Sequence, residues 1–272
     1  MLKSQKYSSL DIQLLVAHIL QKERVWVLAH PEMILSENER LQVEEALTKL
    51  EQGTPLAYLL GEREFYGLPF CVNKHVLVPR PETEHLVEYA LHWLGRQQHP
   101  HNILEVGIGS GCIAISLAYH SPELHIVGID LSWQALQLTR RNSQRHNVSH
   151  RISLLQSDLC SAITPNTSAG IFELICANLP YVPSLLAQQL PAEPQLALDG
   201  GEDGTTLLQK FIPQTKSLLR RTGLLLLEVG SAQGATIMNL CQAVFPEASV
   251  SLLADLAGLD RVCAVHLNGE CL

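Results

Sequence analysis

Ile103-Leu104-Glu105-Val106-Gly107-Ile108-Gly109-Ser110-Gly111 is a short apolar strand that runs into a glycine-rich turn, and Cys112-Ile113-Ala114 carries the chain on into a helix. Glycines in such a turn let a ligand approach the backbone and present amide donors at a helix N-terminus. The Gly-x-Gly-x-Gly spacing is not the Gly-x-Gly-x-x-Gly of dinucleotide-binding folds, where the helix N-terminus receives a pyrophosphate. Asp130 closes the next apolar strand, a suitable place for a carboxylate that accepts both ribose hydroxyls. Together the turn and Asp130 imply a nucleoside ligand without a pyrophosphate, held at the carboxyl ends of the strands.

Strands and helices alternate on both sides of this stretch. Ile103–Val106, His125–Ile129, Ile152–Leu155, Phe172–Ala177, Leu224–Val229, Ser249–Leu253 and Val262–His266 read as strands, with helical spacing near 111–119, 132–142, 204–220 and 232–243. That order specifies an α/β fold with a largely parallel sheet covered on both faces. The loop 164–170 and the irregular run from Leu190 to Gly204, with its Asp199-Gly200-Gly201 turns, interrupt it.

Upstream the character changes. Ile12, Leu15, Val16, Ile19 and Leu20 recur at helical spacing behind Ser9, which stands where a cap belongs, and Ser36 with Glu39 forms a capping-box pattern ahead of Leu41, Ala46, Leu47 and Leu50. Thr54-Pro55 reads as an N-cap followed by proline at the first helical position. Residues 1–63 therefore read as a small all-helical domain. Residues 64–82, rich in Phe65, Tyr66, Phe70, Val72, Val76 and Val78 and broken at Gly67-Leu68-Pro69, read as a β-hairpin connector. Pro79-Arg80-Pro81 holds the chain extended, Thr83 stands where a helix cap belongs, and residues 83–272 form the larger domain.

Composition narrows the field. The 272 residues are 46% hydrophobic with a formal net charge of −8, which argues against a protein held to nucleic acid mainly through phosphates. Seven scattered cysteines without a Cys-x-x-Cys pair fit neither a disulfide framework nor a zinc site, and the twelve histidines show no ligand spacing, so no metal is expected. No apolar run is long enough for a membrane span, and Asp11 and His18 interrupt the segment where a signal peptide needs a continuous core, so the expected location is cytoplasmic.

A second motif, Ala177-Asn178-Leu179-Pro180-Tyr181, follows the apolar strand Leu174-Ile175-Cys176 and faces the same crevice. Asn178 offers a carbonyl acceptor, Pro180 stiffens the turn and Tyr181 offers a flat face, a set suited to a planar amino or amide group. The series of glycine turn, Asp130 and Asn178-x-Pro180-Tyr181 resembles a seven-strand class I S-adenosylmethionine-dependent methyltransferase, a Rossmann-like fold, acting on a planar nitrogen. The blocks Gly61–Gly67, Val78–Glu84, Glu193-Pro194 with Ala197–Gly201, Leu227–Gly230 and Asp255–Arg261 resemble, in the same order, the PrmC (HemK) family.

That resemblance implies N5 methylation of the glutamine in the Gly-Gly-Gln motif of peptide chain release factors, with S-adenosylhomocysteine as the product and the helical domain engaging the protein substrate. It implies further that Gly107, Ile108, Gly109, Ser110 and Gly111 border the cofactor and that Asp130 binds its ribose. By the same resemblance Leu159 stands where relatives often carry an aromatic beside the adenine, Asp158 could accept the adenine amino group, and Asn178, Leu179, Pro180 and Tyr181 are expected to hold the glutamine amide, with Asn178, Pro180 and Tyr181 as catalytic residues and Asn178 also bordering the cofactor. The family usually shows Asn-Pro-Pro-Tyr, whereas this chain has Leu179 at the second position. Asn-Leu-Pro-Tyr also occurs in ribosomal RNA adenine dimethyltransferases, so the motif by itself leaves open a nucleic-acid amino (adenine N6) methyltransferase. A non-catalytic binding module with the same fold is the other alternative, while the glycine spacing disfavours a nicotinamide oxidoreductase.

Overall fold

The computed structural model describes residues 8–97, 101–164 and 170–267; most of the predicted loop at 164–170 and the chain's last residues lie outside this range. Four helices come first: α1 (Ser9–Ile19), α2 (Arg24–Ala29), α3 (Glu37–Glu51) and α4 (Leu56–Leu60). The cap of α1 is Ser8, not Ser9, because the reciprocal box needs an acid three residues on: Asp11 N–H donates to Ser8 Oγ, and Ser8 N–H donates to Asp11 Oδ2 at 2.8 Å. Ser36 and Glu39 form the predicted box at α3. Thr54 does not cap α4; Pro55, still extended at ψ 135°, occupies that position and the helix starts one residue later.

β1 (Glu62–Phe65) and β2 (Leu68–Cys71) make the hairpin. Its turn is Tyr66-Gly67, both left-handed at φ 50° and 72°, the geometry whose twist matches that of the strands, so Leu68 and Pro69 belong to β2 rather than to the turn. Val72, Val76 and Val78 are not in a strand. They are buried as a separate cluster with Ala57 of α4, and with Ala135 and Leu138 of α7 (Trp133–Arg145). Asn142 of α7, fully buried, fastens the hairpin: its Oδ1 accepts from Cys71 N–H at 2.9 Å, and its Nδ2 donates to the carbonyls of Cys71 and Ser110. Arg145 pairs with Glu62 at 2.6 Å alongside it.

A 3-10 turn at Pro81–Thr83 leads into α5 (Glu84–Leu94). Then follow β3 (Asn102–Val106), α6 (Cys112–His120), β4 (His125–Asp130), α7, β5 (Ile152–Gln156), β6 (Phe172–Ala177), α8 (Ser184–Ala187), α9 (Thr206–Thr215), β7 (Leu219–Glu228), α10 (Gly234–Val244), β8 (Ser249–Ala254) and β9 (Asp260–His266). The seven-stranded sheet has the order β5-β4-β3-β6-β7-β9-β8, parallel except for β9, which runs against both of its neighbours. Each predicted strand of the larger domain is present. β7 reaches back to Leu219, which pairs with Phe172, so the helix expected to run to residue 220 ends at Thr215.

Alternation along the strands sorts the core into two layers. Ile103, Ile126, Leu174, Leu224 and Val262 face α5 and α6, whereas Leu104, Ile175, Leu225 and Cys263 face α9 and α10. The chain order reverses between β3 and β6, which opens a crevice at their carboxyl ends. Among the described residues no helix is long and apolar enough to cross a membrane.

Asn142→Leu leaves the Cys71 amide and two carbonyls without their buried partner, and is expected to lower unfolding stability by about 2–4 kcal/mol. Denaturant melts followed by far-UV dichroism check this; a loss below about 0.5 kcal/mol contradicts the fastening role.

Candidate functional site

The glycine turn is fixed from three sides. Gly107 and Ile108 donate their amides to the Ile129 carbonyl at 2.8 and 2.9 Å, Gly109 donates to Asp130 Oδ2 at 2.9 Å, and Thr139 of α7 donates its hydroxyl to the Gly109 carbonyl. Gly107, Gly109 and Gly111 all take positive φ, at 76°, 56° and 82°, a conformation that side chains disfavour, which is why the spacing is Gly-x-Gly-x-Gly. Glu105, fully buried on β3, accepts the Ala114 amide in the first turn of α6 at 2.8 Å. Burial holds its carboxyl well above the usual range, against the pull of that amide. A protein carboxyl group thus already takes one amide of the helix N-terminus that a pyrophosphate would need.

Beside the turn lies a cavity of about 280 Å³ at the carboxyl ends of β3, β4 and β6. Gly107, Gly109, Asp130, Asp158, Leu159, Asn178, Leu179 and Pro180 line it, together with Ile129 and Leu131. Ile108, Ser110, Gly111 and Tyr181 do not. The side chain of Ile108 is in the core, Ser110 is buried with its carbonyl on Asn142, and a Cβ on Gly111 would stand 2.7 Å from Thr139 Cγ2. Their place is behind the wall, where they shape the turn.

Asp130 keeps its carboxylate in the crevice with Oδ2 on the Gly109 amide and Oδ1 on the Ser132 amide. Burial pushes its pKa up, opposed by the amides of Ser132, Gly109 and Leu131. The acceptor capacity these amides leave is available to a donor in the cavity. Leu159 is buried at φ 48°, so apolar contact with the cavity is held at some backbone strain.

Asn178 sits where β6 ends, beside β3. Its Nδ2 donates to Thr83 Oγ1 at 3.2 Å. Thr83 is buried and helical, and its side chain caps nothing, so the expected cap is absent and the hydroxyl serves Asn178 instead. Tyr181 turns its hydroxyl to Glu228 Oε1 at 3.2 Å, at the end of β7. Burial raises the Glu228 carboxyl to about 7, against the Thr83 and Tyr181 hydroxyls, which lower it. Pro180 and Tyr181 are backed by the 200–204 turn: a Cβ on Gly200 would stand 2.6 Å from the Pro180 carbonyl oxygen. Gln233 Nε2 donates to the Tyr181 carbonyl at 2.9 Å.

Pro194, Leu196 and Ala197 line the cavity together with Lys74–Leu77. Glu193 ties the two segments by pairing with Arg80 and accepting the Val78 amide at 3.0 Å. No sequence pattern marks Thr83, Glu105, Glu193, Glu228 or Gln233 individually as a site residue. Four of the five lie inside blocks that carry the resemblance or the glycine motif, which was the signal available for them.

The strand order and the placement of these residues define a class I S-adenosylmethionine-dependent methyltransferase fold joined to a small N-terminal helical domain. A family model described as "PrmC N-terminal domain" matches residues 1–61, and one described as "Methyltransferase small domain" matches residues 89–191. The chain is 33% identical over 268 residues to the release factor glutamine methyltransferase of Nitratidesulfovibrio vulgaris, covering 95% of this chain and 88% of that one. It is 36% identical to the enzyme of that name from Chlorobaculum tepidum, covering 93% of this chain and 88% of the relative. A solved methyltransferase structure from Pyrococcus furiosus, 16% identical, superposes with a TM-score of 0.54 over 75% of this chain and 90% of that one, a likeness of fold alone. This chain belongs to the release factor glutamine methyltransferase family.

A carboxyl with a folded pKa above its unfolded value adds stability that is full below the unfolded pKa and is lost as pH rises through the folded one, here about 7. Glu228→Gln removes that loss, so its melting temperature should gain on the unsubstituted protein by a few degrees between about pH 5 and about pH 8. A constant difference across that range contradicts the buried, raised carboxyl.

Proposed function

We propose that this chain transfers a methyl group from S-adenosylmethionine to the side-chain amide nitrogen of the glutamine in the Gly-Gly-Gln motif of peptide chain release factors, in the cytoplasm. The observation that carries this reading is Asn178. It lines the cavity with its amino group committed to Thr83, so Oδ1 is the atom that remains for a substrate. Identity to relatives of that name over nearly the whole chain supports it.

The cavity fits the cofactor by the chemistry of its donors. Asp130 would take the ribose hydroxyls, Gly107 and Gly109 leave room for a close approach at the turn, and Leu159 with Ile129 would flank the adenine, whose amino group Asp158 would accept. When bound, S-adenosylmethionine supplies a methyl group made electrophilic by its sulfonium.

The remaining work belongs to the chain's own residues. An amide nitrogen is a poor nucleophile because its lone pair is delocalised. Asn178 Oδ1 and the Leu179 carbonyl would each accept one amide hydrogen, which orients the nitrogen and favours positive charge as it develops. Leucine supplies the same carbonyl as the usual proline, and its buried side chain, at 4% exposure, packs in the core to hold the turn. Tyr181 would act from behind this turn, through Glu228, rather than on the substrate.

The test is incubation with S-adenosylmethionine and an unmethylated release factor, with mass spectrometry of the Gly-Gly-Gln peptide and a Gln→Ala factor as control. One methyl group on that glutamine is expected, and Asn178→Ala should lower the rate by about 10²–10³-fold, as losing one positioned polar contact does elsewhere. An unmodified glutamine in a sample that binds the cofactor would sink the assignment. Asp130→Ala should weaken cofactor binding by about tenfold to a hundredfold in calorimetry, the worth of charge-assisted hydrogen bonds.

A further inference from the structure

Asn178 poses a problem of direction. A carboxamide has two ends of nearly equal size, one donating and one accepting, and rotation about its last bond exchanges them. A substrate amide offers hydrogens, so only the rotamer with Oδ1 toward the cavity can hold it. What faces the other end of Asn178 therefore decides whether the site is competent.

That neighbour is the Thr83 hydroxyl, which can either donate or accept. Thr83 is 2% exposed and comes from the 3-10 turn before α5, far from Asn178 in the chain but beside it in space. The same hydroxyl interacts with Glu228, which is 1% exposed. Its Oε1 is taken by the Tyr181 hydroxyl, while Oε2 is buried without a hydrogen-bond partner. Above its pKa of about 7 the group is a carboxylate, which only accepts, so it has use for a hydroxyl proton, and the Thr83 hydroxyl is one of the two that lower that pKa.

We infer that Thr83 is a positioning residue for methyl transfer, its proton directed at the buried Glu228 carboxylate so that its oxygen faces Asn178 solely as an acceptor. The polarity then runs one way. Glu228 takes the Thr83 proton, Thr83 takes an Asn178 Nδ2 hydrogen, and Asn178 Oδ1 is left pointing at the substrate. Tyr181 completes the arrangement by holding the other carboxylate oxygen, which gives this motif residue a role although it does not reach the cavity. This inference rests on the methyltransferase reading above and names which residues prepare its acceptor.

Thr83→Val keeps the shape and removes the hydroxyl; Thr83→Ser keeps the hydroxyl. With an unmethylated release factor as substrate, Thr83→Val should lower kcat by about tenfold to a hundredfold with the KM for S-adenosylmethionine within about twofold, and Thr83→Ser should stay within about threefold of the unsubstituted enzyme. Glu228→Gln presents an amide that can donate toward Thr83, so it should lower kcat in the same range, and the double variant should be no worse than the poorer single one. Nitrogen-15 spectra read the same contact without turnover. The Asn178 side-chain amide signals, identified by their loss in Asn178→Ala, should shift and exchange faster in Thr83→Val but not in Thr83→Ser.

Full kcat in Thr83→Val, a Thr83→Ser variant as slow as Thr83→Val, or Asn178 amide signals indifferent to Thr83→Val would each overturn the inference. If the unsubstituted protein binds the cofactor but leaves the factor unmodified, the substrate assignment fails. The amide spectra still decide the role of Thr83 in that event.

Discussion

The pairing of Val106 with Ala177 in the parallel ladder between β3 and β6 is the constraint on which the site depends. Each strand ends there and each releases one motif, the glycine turn from β3 and Asn178-Leu179-Pro180-Tyr181 from β6. Their backbones come so close that a Cβ on Gly107 would stand 3.1 Å from Leu179 Cδ2 and 3.5 Å from the Asn178 carbonyl oxygen. The ladder therefore sets the distance between the region suited to a nucleoside and the acceptor suited to an amide. Neither motif can shift along its strand without breaking the register shared by both.

Two carboxyl groups, Glu105 and Glu228, are buried around this junction and a third, Asp130, is partly buried, and all three have raised pKa values because burial disfavours their charge. Their partners divide the roles. Glu105 accepts an amide of α6 and closes that helix end, Asp130 accepts two turn amides and keeps a face in the cavity, and Glu228 meets only hydroxyls. A carboxylate satisfied by rigid backbone amides has a fixed geometry, whereas one that meets hydroxyls can direct their protons. The difference separates a structural acid from one that sets the orientation of a neighbour.

Periodicity and turn chemistry exposed most of the architecture, because a buried strand and an amphipathic helix are local patterns. The strands from Ile103 to His266, the hairpin and the order of motifs could all be read that way. Local reading failed where a side chain's partner is distant. Thr83 has the position of a cap, yet its hydroxyl is drawn to Asn178 and Glu228, which are adjacent only after folding. Val72, Val76 and Val78 sit at even spacing as a strand's residues would, but among the described residues none of them belongs to a strand, and they pack with Ala57 of α4 and with α7 instead. Tyr181 belongs to the motif by sequence and to the wall behind it in space.

The turn carrying Asn178 is supported unequally on its two sides. Toward the cavity stands Leu179, and the backbone carbonyl proposed to act there would be supplied by any residue. On the far side, Gly200 and Gly204 press against Pro180 and Tyr181 so closely that no side chain fits at either glycine, and the Gln233 amide fills the space that remains. Over generations the two sides should drift at different rates. At Leu179 the cavity side can accept a new side chain as long as the carbonyl persists, while the hidden glycine backing admits almost none, so the slowest-changing positions around this turn should include ones that line no part of the cavity.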